Sequence, residues 1–246
     1  MKNIAKKKIL SLAIPLPSLK EQNAIATALS DADALIDALE QSIVKKRQIK
    51  QGAMQELLTG KRRLPGFTGK WANWELGKVL VVTHGKSQKF VEDPNGEYPI
   101  LASGGKIGTA NQFIYNKPSI LIGRKGTIDK PQYMDRPFWA VDTLFYTQVN
   151  QNNILKFIYY IFFLIPWHNY NEASGVPSLN AKTIESILVK LPPPDENGKP
   201  KEQTAIANIL SDMDDEIAAL EAKLAKARQI KIGMMQELLT GRIRLV

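Results

Sequence analysis

An internal repeat constrains this sequence more than any other feature. Residues 20–64 match residues 201–245 at a constant offset of 181 without a gap, and 29 of the 45 positions are identical. Unrelated sequence separates the two copies, which excludes a solenoid of stacked neighbouring repeats. The predicted order is therefore a short tail, a repeat, a unique domain and a second repeat.

Each copy of the repeat has the pattern of a long amphipathic helix. Apolar residues recur at alternating spacings of four and three over about three heptads, which is the seam of a coiled coil. Pro17 and Pro200 precede the two helices, while Gly60 and Gly241 follow them. At about 1.5 Å per residue, a helix of ~40 residues is about 60 Å long. The predicted seam residues are Ile25, Leu29, Ile36, Leu39 and Ile43 in the first copy, and Ile206, Leu210, Ile217, Leu220 and Leu224 in the second.

The charges along the repeats predict how the two helices pair. Residues 21–40 carry five acidic side chains and no basic one, whereas residues 45–63 carry seven basic side chains and one acidic one. The second copy repeats this segregation over residues 201–221 and 223–244. A parallel pair would set like charges against each other, and an antiparallel pair sets opposite charges together. Single exposed ion pairs contribute less than about 1 kcal/mol, but their sum favours the antiparallel orientation.

The sequence between the repeats has a different character. Strand-forming residues, aromatic residues, glycine and proline replace the Ala/Glu/Lys pattern of the helices. The expected fold class is therefore α+β, with one mixed, mostly β domain and two long antiparallel coiled-coil helices. Its predicted elements are strands at Val79–Val82, Tyr98–Leu101, Ser119–Ile122 and Leu144–Val149, and a buried helix at Ile154–Ile165.

Composition excludes several classes of protein. The apolar fraction of 44% is too high for a mostly disordered chain. The absence of cysteine excludes disulfides, cysteine-type zinc sites and a thiol nucleophile. The longest apolar run is too short for a bilayer, and the proline-interrupted start makes a poor signal peptide. We expect a soluble, cytoplasmic, basic protein with a net charge of +9.

The segments that resemble catalytic motifs lack the residue spacing or the structural setting that the catalysis requires. Gly85-Lys86-Ser87 lacks the earlier glycine of a phosphate-binding loop, because Leu80 stands at that position. Asp195 with Glu221 and Lys223 imitates a metal-nuclease pattern, but Asp195 lies in a proline-rich linker and the other two lie on a predicted helix face. No Ser/His/Asp arrangement is suggested, and no metal site is expected. The sequence therefore favours a non-catalytic chain.

Several independent segments make the sequence familiar. They are Lys117–Ile128 (KPSILIGRKGTI), Pro137–Trp139 with Asp142-Thr143, Leu64–Trp71 (LPGFTGKW), Ser174–Asn180 (SGVPSLN) and Leu191–Pro194 leading to Glu202-Gln203. Together these segments resemble the target recognition domain of type I restriction-modification specificity subunits. The repeats resemble the conserved spacer helices of that family, including the segment QELLTG.

The resemblance implies a domain order with one departure from the family. The family usually alternates two recognition domains with two helices, whereas this sequence resembles a half-size or truncated form with one recognition domain. The implied order is a remnant of a preceding recognition domain (1–19), the first spacer helix (20–60), the target recognition domain (61–200) and the second spacer helix (201–246).

The resemblance also implies a function and partners. Such subunits are non-catalytic DNA readers, and each recognition domain reads one half of a bipartite site in double-stranded DNA. They dock methyltransferase and restriction/translocase subunits; the implied S-adenosylmethionine, ATP and magnesium belong to those partners, and no cofactor is expected on this chain. A second copy or another half-size subunit is a further expected partner. A helix of about 60 Å can separate two sites by about one to one and a half DNA turns of ~34 Å.

Polar loops of the middle domain supply the candidate DNA contacts. Residues 86–136 hold eight basic and five acidic side chains. Arg124 and Lys125 lie in a Gly-Arg-Lys-Gly turn, where arginine suits guanine. Because this turn recurs in members of the resembled family that read different sequences, a phosphate contact or a structural role is favoured over base reading. Phe138, Trp139, His84 and His168 are expected to pack or hydrogen-bond. The candidates are Lys86, Ser87, Gln88, Lys89, Ser103, Lys106, Thr109, Arg124, Lys125, Thr127, Lys130 and Arg136.

Exposed residues of the QELLTG segments are the candidate docking sites for partner subunits. These are Gln55 and Glu56 in the first copy, and Gln236 and Glu237 in the second. The alternative function from a different class is a coiled-coil structural protein without DNA specificity. DNA binding and its dependence on salt distinguish the two hypotheses.

Overall fold

The computed structural model describes residues 10, 11, 14 and 16–245. The chain divides into two compact units, which we call the helical unit (Met1–Ile49 with Met213–Val246) and the mixed unit (Lys50–Asp212). Most of the predicted domain remnant, residues 1–19, lies outside the described residues. The helices in the described part are α1 (Leu19–Leu57), α2 (Leu155–Phe162), α3 (Ala181–Ser186) and α4 (Lys201–Leu238).

The helical unit confirms the antiparallel pairing of the repeats. Arg47 on α1 binds Glu221 on α4 at 2.6 Å, and Arg228 binds Glu40 at the same distance. The offset of 181 converts one of these pairs into the other, so the pair of helices is approximately two-fold symmetric. Further pairs along this unit join Lys46 to Glu216, Lys231 to Asp33 and Arg244 to Glu21.

The seam residues of both helices are shielded from solvent. Ile25, Ile43 and Ile217 are buried in the helical unit, and Ile206 and Leu210 are buried in the mixed unit. The remaining seam residues are half-buried, as expected where only two helices share an apolar stripe. Most of the ion pairs flank this stripe in exposed positions, so they orient the helices more than they stabilise them.

A disulfide crosslink tests the register of the helical unit. Ile25→Cys combined with Leu238→Cys is expected to form an intramolecular disulfide, because both buried side chains lie in the helical unit near the Glu21–Arg244 pair. The chain has no native cysteine to compete. Non-reducing electrophoresis measures the product. Preferential crosslinking of Ile25→Cys to Ile206→Cys would indicate parallel helices and contradict this register.

Three small sheets build the mixed unit. One pairs β1 (Ala72–Glu75) with β9 (Leu188–Leu191). The second has the order β2 (Leu80–His84), β8 (Leu144–Val149), β5 (Ser119–Gly123) and β6 (Gln132–Met134), all antiparallel. The third places β3 (Tyr98–Ala102) between β4 (Gly105–Ala110), antiparallel to it, and β7 (Trp139–Ala140), parallel to it.

One apolar core joins the second and third sheets. Leu101 from β3 clusters with Leu121 from β5 and Tyr146 from β8, together with Phe138 and Leu144. Helix α2 is buried along most of its length, although Phe163 just beyond it is exposed. The α+β fold class is therefore confirmed.

The candidates Ser103, Lys106 and Thr109 lie in the segment SGGKIGT (residues 103–109), whose small polar residues predict a loop, but most of this segment is a strand. Gly105–Ala110 is strand β4, and only Ser103-Gly104 forms the turn that connects it to β3. The prediction was wrong because glycine and lysine give no strand signal, while the neighbouring strand supplies hydrogen-bond partners for their backbone. No helix in the described part of the chain is long and apolar enough to span a membrane.

Candidate nucleic-acid interface

Two of the polar segments singled out in the sequence are anchored on one short stretch of chain, Ala140–Leu144. The backbone N–H of Gly85 donates to the Leu144 carbonyl at 3.0 Å, and that of Lys86 donates to the Ala140 carbonyl at 2.8 Å. The backbone N–H groups of Arg124 and Lys125 donate to the Thr143 carbonyl at 2.9 and 3.2 Å. We call Ala140–Leu144 the scaffold segment. It places residues 85–91, which we call the polar loop, beside the Gly-Arg-Lys-Gly turn.

Glycine is required where each of these two polar segments lies close to a neighbouring backbone carbonyl. A Cβ atom on Gly85 would lie 2.0 Å from the Val141 carbonyl oxygen, and one on Gly123 would lie 1.9 Å from that of Thr127. Gly126 has a φ of 85°, a conformation that favours glycine. These glycines therefore fix the backbone at this edge of the sheet and leave the lysine side chains free to project.

Arg124 and Lys125 have different surroundings within the turn. Arg124 is half-buried, and its Nη1 donates to the Asp142 carbonyl at 3.1 Å. Lys125 is exposed. The geometry therefore gives Arg124 a structural contact through one donor, and it leaves Lys125 as the side chain of the turn that faces solvent.

The segment SGVPSLN packs on the same turn. The Gly126 N–H donates to the Pro177 carbonyl, and the Leu179 N–H donates to the Arg124 carbonyl, both at 2.9 Å. Lys125 also forms an isolated antiparallel bridge with Ser178. Two motifs that lie about fifty residues apart in the sequence thus form one continuous surface with the scaffold segment.

The turn between β3 and β4 completes this edge. Ser103 lies against the Gly-Arg-Lys-Gly turn, because a Cβ atom on Gly126 would be 3.3 Å from its Oγ. Gln132 holds the turn through its Nε2, which donates to the Ala102 carbonyl at 3.0 Å. The polar loop is also held internally, since the Val91 N–H donates to the Gln88 carbonyl at 2.9 Å and Trp139 Nε1 donates to the Lys86 carbonyl at 2.9 Å.

The other predicted contacts are distributed less uniformly. Lys106 is exposed on β4 near its turn, whereas the Thr109 hydroxyl donates to the Asp93 carbonyl at 2.7 Å. Lys130 lies at the same end of the second sheet as Gly123, since it precedes the residues of β6 that pair with β5 there. Arg136 follows the opposite end of β6, away from the scaffold segment.

Most of the aromatic and histidine residues predicted to pack do lie against other side chains. Phe138 is fully buried, and Trp139 is half-buried against the core. His84 packs edge-to-face on Phe145 with ring centroids 4.8 Å apart, and His168 lies 3.3 Å from Asp129. Phe90, which the sequence reasoning did not single out, is almost fully exposed on the polar loop, and its only sequence signal is its place next to Lys89.

Two residues of the nuclease-like pattern, Asp195 and Glu221, have structural partners. Asp195 accepts hydrogen bonds from the backbone of Asn197 and Lys199 and lies 2.9 Å from Lys201 Nζ. The hydrogen bond from Lys201 is the main cause that lowers the pKa of Asp195. Glu221 pairs with Arg47 in the helical unit. No cluster of metal-ligating side chains occurs within the described ranges.

The candidate docking residues lie at the ends of the long helices. Gln55 and Glu56 are exposed on α1, and Glu56 pairs with Arg62 at 3.4 Å. On α4, Gln236 is exposed, and the half-exposed Glu237 pairs with Arg242 at 3.3 Å.

Comparison with known proteins gives a consistent result. The family model of the type I restriction modification DNA specificity domain matches residues 1–51 and 68–229. A Methanocaldococcus jannaschii protein named for the specificity subunit of the type I restriction enzyme MjaX is 28% identical over 260 residues, covering 95% of this chain and 60% of that protein. The Escherichia coli EcoDI specificity subunit is 24% identical over 174 residues, and the alignment covers 69% of this chain and 37% of that subunit.

A solved structure shares the fold. The S subunit of a type I restriction-modification system from M. genitalium superposes with a TM-score of 0.72 at 19% identity, covering 96% of this chain and 66% of that one. This chain therefore spans less than two thirds of the length of the proteins that it resembles.

Proposed function

Because this chain belongs to the type I restriction modification DNA specificity domain family, we propose that its mixed unit reads one half of a bipartite DNA site. The proposal assigns the contact surface to the edge formed by the scaffold segment, the polar loop that begins at Gly85 and the Gly-Arg-Lys-Gly turn. Lys86, Lys89 and Lys125 supply positive charge for phosphates. Ser87, Gln88 and Ser103 are the neutral polar side chains available for base edges.

One observation carries this assignment. Segments that are separate in the sequence meet on one carbonyl-lined stretch of chain, Ala140–Leu144, and project exposed lysines from rigid glycine turns. A backbone fixed by hydrogen bonds that presents exposed cationic side chains suits a surface that must fit a fixed phosphate geometry.

The long helices have a separate role in the proposal. They act as the spacer between half-sites and as the docking surface for methyltransferase and restriction subunits. Those partners bind S-adenosylmethionine, ATP and magnesium, and this chain binds none of them. The competing hypothesis is a coiled-coil interaction protein with no DNA specificity, which predicts no salt-dependent DNA binding.

Methylome sequencing tests the proposed function. A host that expresses this chain with its methyltransferase subunits is expected to acquire adenine methylation at one recurring sequence. Substitution of Gln88 or Ser87 is expected to change one position of that sequence, because a lost base contact is worth about 1–3 kcal/mol of discrimination. An unchanged methylome for every polar-loop variant, in cells where the complex assembles, would reject the assignment.

The isolated chain is expected to have no catalytic activity. Purified chain with magnesium and DNA should not cleave, and it should not methylate when S-adenosylmethionine is added. Gel analysis and transfer of a labelled methyl group measure these outcomes. Activity that disappears on Asp195→Ala, Glu221→Ala or Lys223→Ala would contradict the non-catalytic assignment.

The docking residues and the DNA-reading residues are expected to separate in their effects. Substituting Gln55, Glu56, Gln236 and Glu237 by alanine should weaken assembly with the methyltransferase subunits and leave the methylated sequence unchanged. Co-purification measures assembly, and sequencing of the residual methylation measures specificity. A changed methylated sequence in this variant would contradict the division of roles.

A further inference from the structure

One phenylalanine of the polar loop is more exposed than any other large apolar side chain in the described part of the chain. Phe90 is 94% exposed, and the next in order, Leu16, is 78% exposed. Phe113 in the same unit is only 44% exposed, because its ring packs edge-to-face on Tyr98 with centroids 5.2 Å apart. Single exposed apolar side chains are common on protein surfaces, so the surroundings of Phe90 decide whether it has a role.

The backbone around Phe90 is fixed in a tight turn. The N–H groups of Val91 and Glu92 both donate to the Gln88 carbonyl at 2.9 Å. These bonds place Lys89 and Phe90 in the middle of the turn, and both side chains are exposed. The ring is therefore presented to solvent from a backbone with a defined conformation.

The core beneath this turn is already filled. Val91 is 6% exposed and packs in a cluster with Ile100, Ala110 and Val141. Its carbonyl also accepts from the Asn111 N–H at 3.0 Å, which holds the end of the turn on the edge of the third sheet. The Phe90 ring cannot move into the core without displacing Val91, so only a partner that binds from outside can cover it.

Positive charge flanks the exposed ring. Lys86 and Lys89 are exposed, and residues 85–91 contain no acidic side chain. Glu92 follows the loop, but its carboxylate lies towards β4, since a Cβ atom on Gly108 would be 3.7 Å from its Oε1. An aromatic ring between two cations suits a partner that offers both anionic groups and flat apolar faces. Duplex DNA offers both, as phosphates and as the faces of its bases.

We propose that Phe90 is a wedge that enters the DNA between two neighbouring base pairs of the half-site, while Lys86 and Lys89 contact nearby phosphates. Apolar side chains that separate base steps in this way are a general means of bending DNA towards a protein surface. This inference rests on the proposed DNA-reading function and deepens it, because it adds a second way in which the polar loop selects its sequence.

The wedge selects DNA by deformability. The phenyl ring has no hydrogen-bond donor or acceptor, so it cannot read a base edge as the amide of Gln88 can. Its binding free energy depends instead on the cost of separating two stacked base pairs. That cost is low at the flexible pyrimidine–purine steps TA and CA/TG. The half-site is therefore expected to contain such a step at the position that Phe90 enters.

Phe90→Ala tests the wedge in the complex of this chain with its methyltransferase subunits. The probe is a duplex with the sequence that methylome sequencing identifies. Affinity should fall about tenfold, because one aromatic contact with a base is lost, and the salt slope should not change, because phenylalanine releases no counterions. Phe90→Trp should keep most of the affinity, since indole also stacks on bases. Unchanged affinity in Phe90→Ala would overturn the proposal.

A second exposed aromatic residue supplies the matched control. Trp74 is 46% exposed on β1, outside the polar loop. Trp74→Ala is expected to bind the same duplex with unchanged affinity. An equal loss of affinity in Trp74→Ala and Phe90→Ala would show a general effect of removing exposed aromatic surface and would overturn the assignment to Phe90.

Fluorescence of 2-aminopurine locates the separated step. This adenine analogue is quenched when it is stacked and bright when a neighbouring base is displaced. It is placed in turn at each adenine of either strand except the methylated one, because methyltransferases extrude their target base. One position is expected to be bright with the native chain and quenched with Phe90→Ala. The absence of any position whose brightness depends on Phe90 would overturn the proposal.

The lysine variants separate this proposal from the function on which it rests. If neutralising Lys86 and Lys125 leaves DNA affinity and its salt slope unchanged, the assigned DNA surface is wrong and both proposals fail. If that variant weakens binding while Phe90→Ala binds as the native chain does, only the wedge fails. Co-purification tests a protein partner as the other occupant. Loss of the methyltransferase subunits from Phe90→Ala in the absence of DNA would assign the ring to a protein contact and overturn the proposal.

Discussion

Replacing Glu202 by alanine is expected to lower the free energy of unfolding of the mixed unit by about 3 kcal/mol, because removal of one partner leaves an uncompensated charge. Glu202 is 3% exposed and accepts from Arg63 Nε at 2.6 Å and Nη2 at 2.8 Å. It also accepts from the buried Trp71 indole. Arg63 retains the carbonyls of Gly69 and Thr68 as acceptors, so the effect lies at the low end for a broken buried pair.

The repeat provides the control for this variant. Glu21→Ala removes the ion pair to Arg244, which the offset of 181 relates to the Glu202–Arg63 pair; the Arg244 side chain is 62% exposed, against 26% for Arg63. Its expected cost is smaller than that of Glu202→Ala, because the exposed Arg244 guanidinium can be solvated by water when its partner is removed. Hydrogen exchange of the β1 and β9 amides measures the mixed unit by itself, which matters because two units need not unfold in one step. Equal costs for the two variants would contradict the anchoring role of Glu202.

Neutralising Lys86 and Lys125 together is expected to reduce DNA affinity by about 10- to 100-fold at moderate salt. Each lost phosphate contact lowers the slope of log affinity against log salt by about 0.9 on duplex DNA, so the double variant should lose about 1.8. Both lysines are exposed and start from backbone anchored on the scaffold segment. Fluorescence anisotropy in a salt series, with methyltransferase subunits present, measures both quantities.

A double variant at the other end of the same sheet is the matched control. Lys117→Gln with Arg136→Gln removes the same amount of charge, but these residues flank the ends of β5 and β6 farthest from the Gly-Arg-Lys-Gly turn. Its salt slope is expected to remain close to that of the unchanged chain. A larger loss of salt slope in this control than in the Lys86 and Lys125 variant would indicate that DNA binds at the end of the sheet near Lys117 and Arg136. That result would contradict the proposed interface.

Much of the fold could be predicted from local pattern. The heptad spacing and the segregated charges predicted two long antiparallel helices, and the apolar runs at Ser119–Ile122 and Leu144–Val149 predicted strands that the structure confirms. Short strands were missed where pattern is weak. Strand β1 pairs with β9, which lies more than one hundred residues farther along the sequence. The residues of Ala72–Glu75 give no local indication of this pairing.

The candidate site was predicted only in pieces. The Gly-Arg-Lys-Gly turn and the polar loop were recognised by composition, but nothing in the sequence indicated that both hydrogen-bond to the scaffold segment. The different surroundings of Arg124 and Lys125 were also hidden, since adjacent cationic residues look alike until the Asp142 carbonyl is placed beside one of them.

The repeat separates what sequence and tertiary structure each decide. The sequence by itself determined the helices and their orientation, because helical periodicity and charge patterns act between residues that are close in the sequence. It also indicated the family, through several short segments of consecutive residues. It also placed the same Gly, Arg and Glu at matching positions of both copies. Only the tertiary structure decided that Trp71 packs against Glu202 and Arg63, because burial depends on which distant segment the folded chain brings to a helix end.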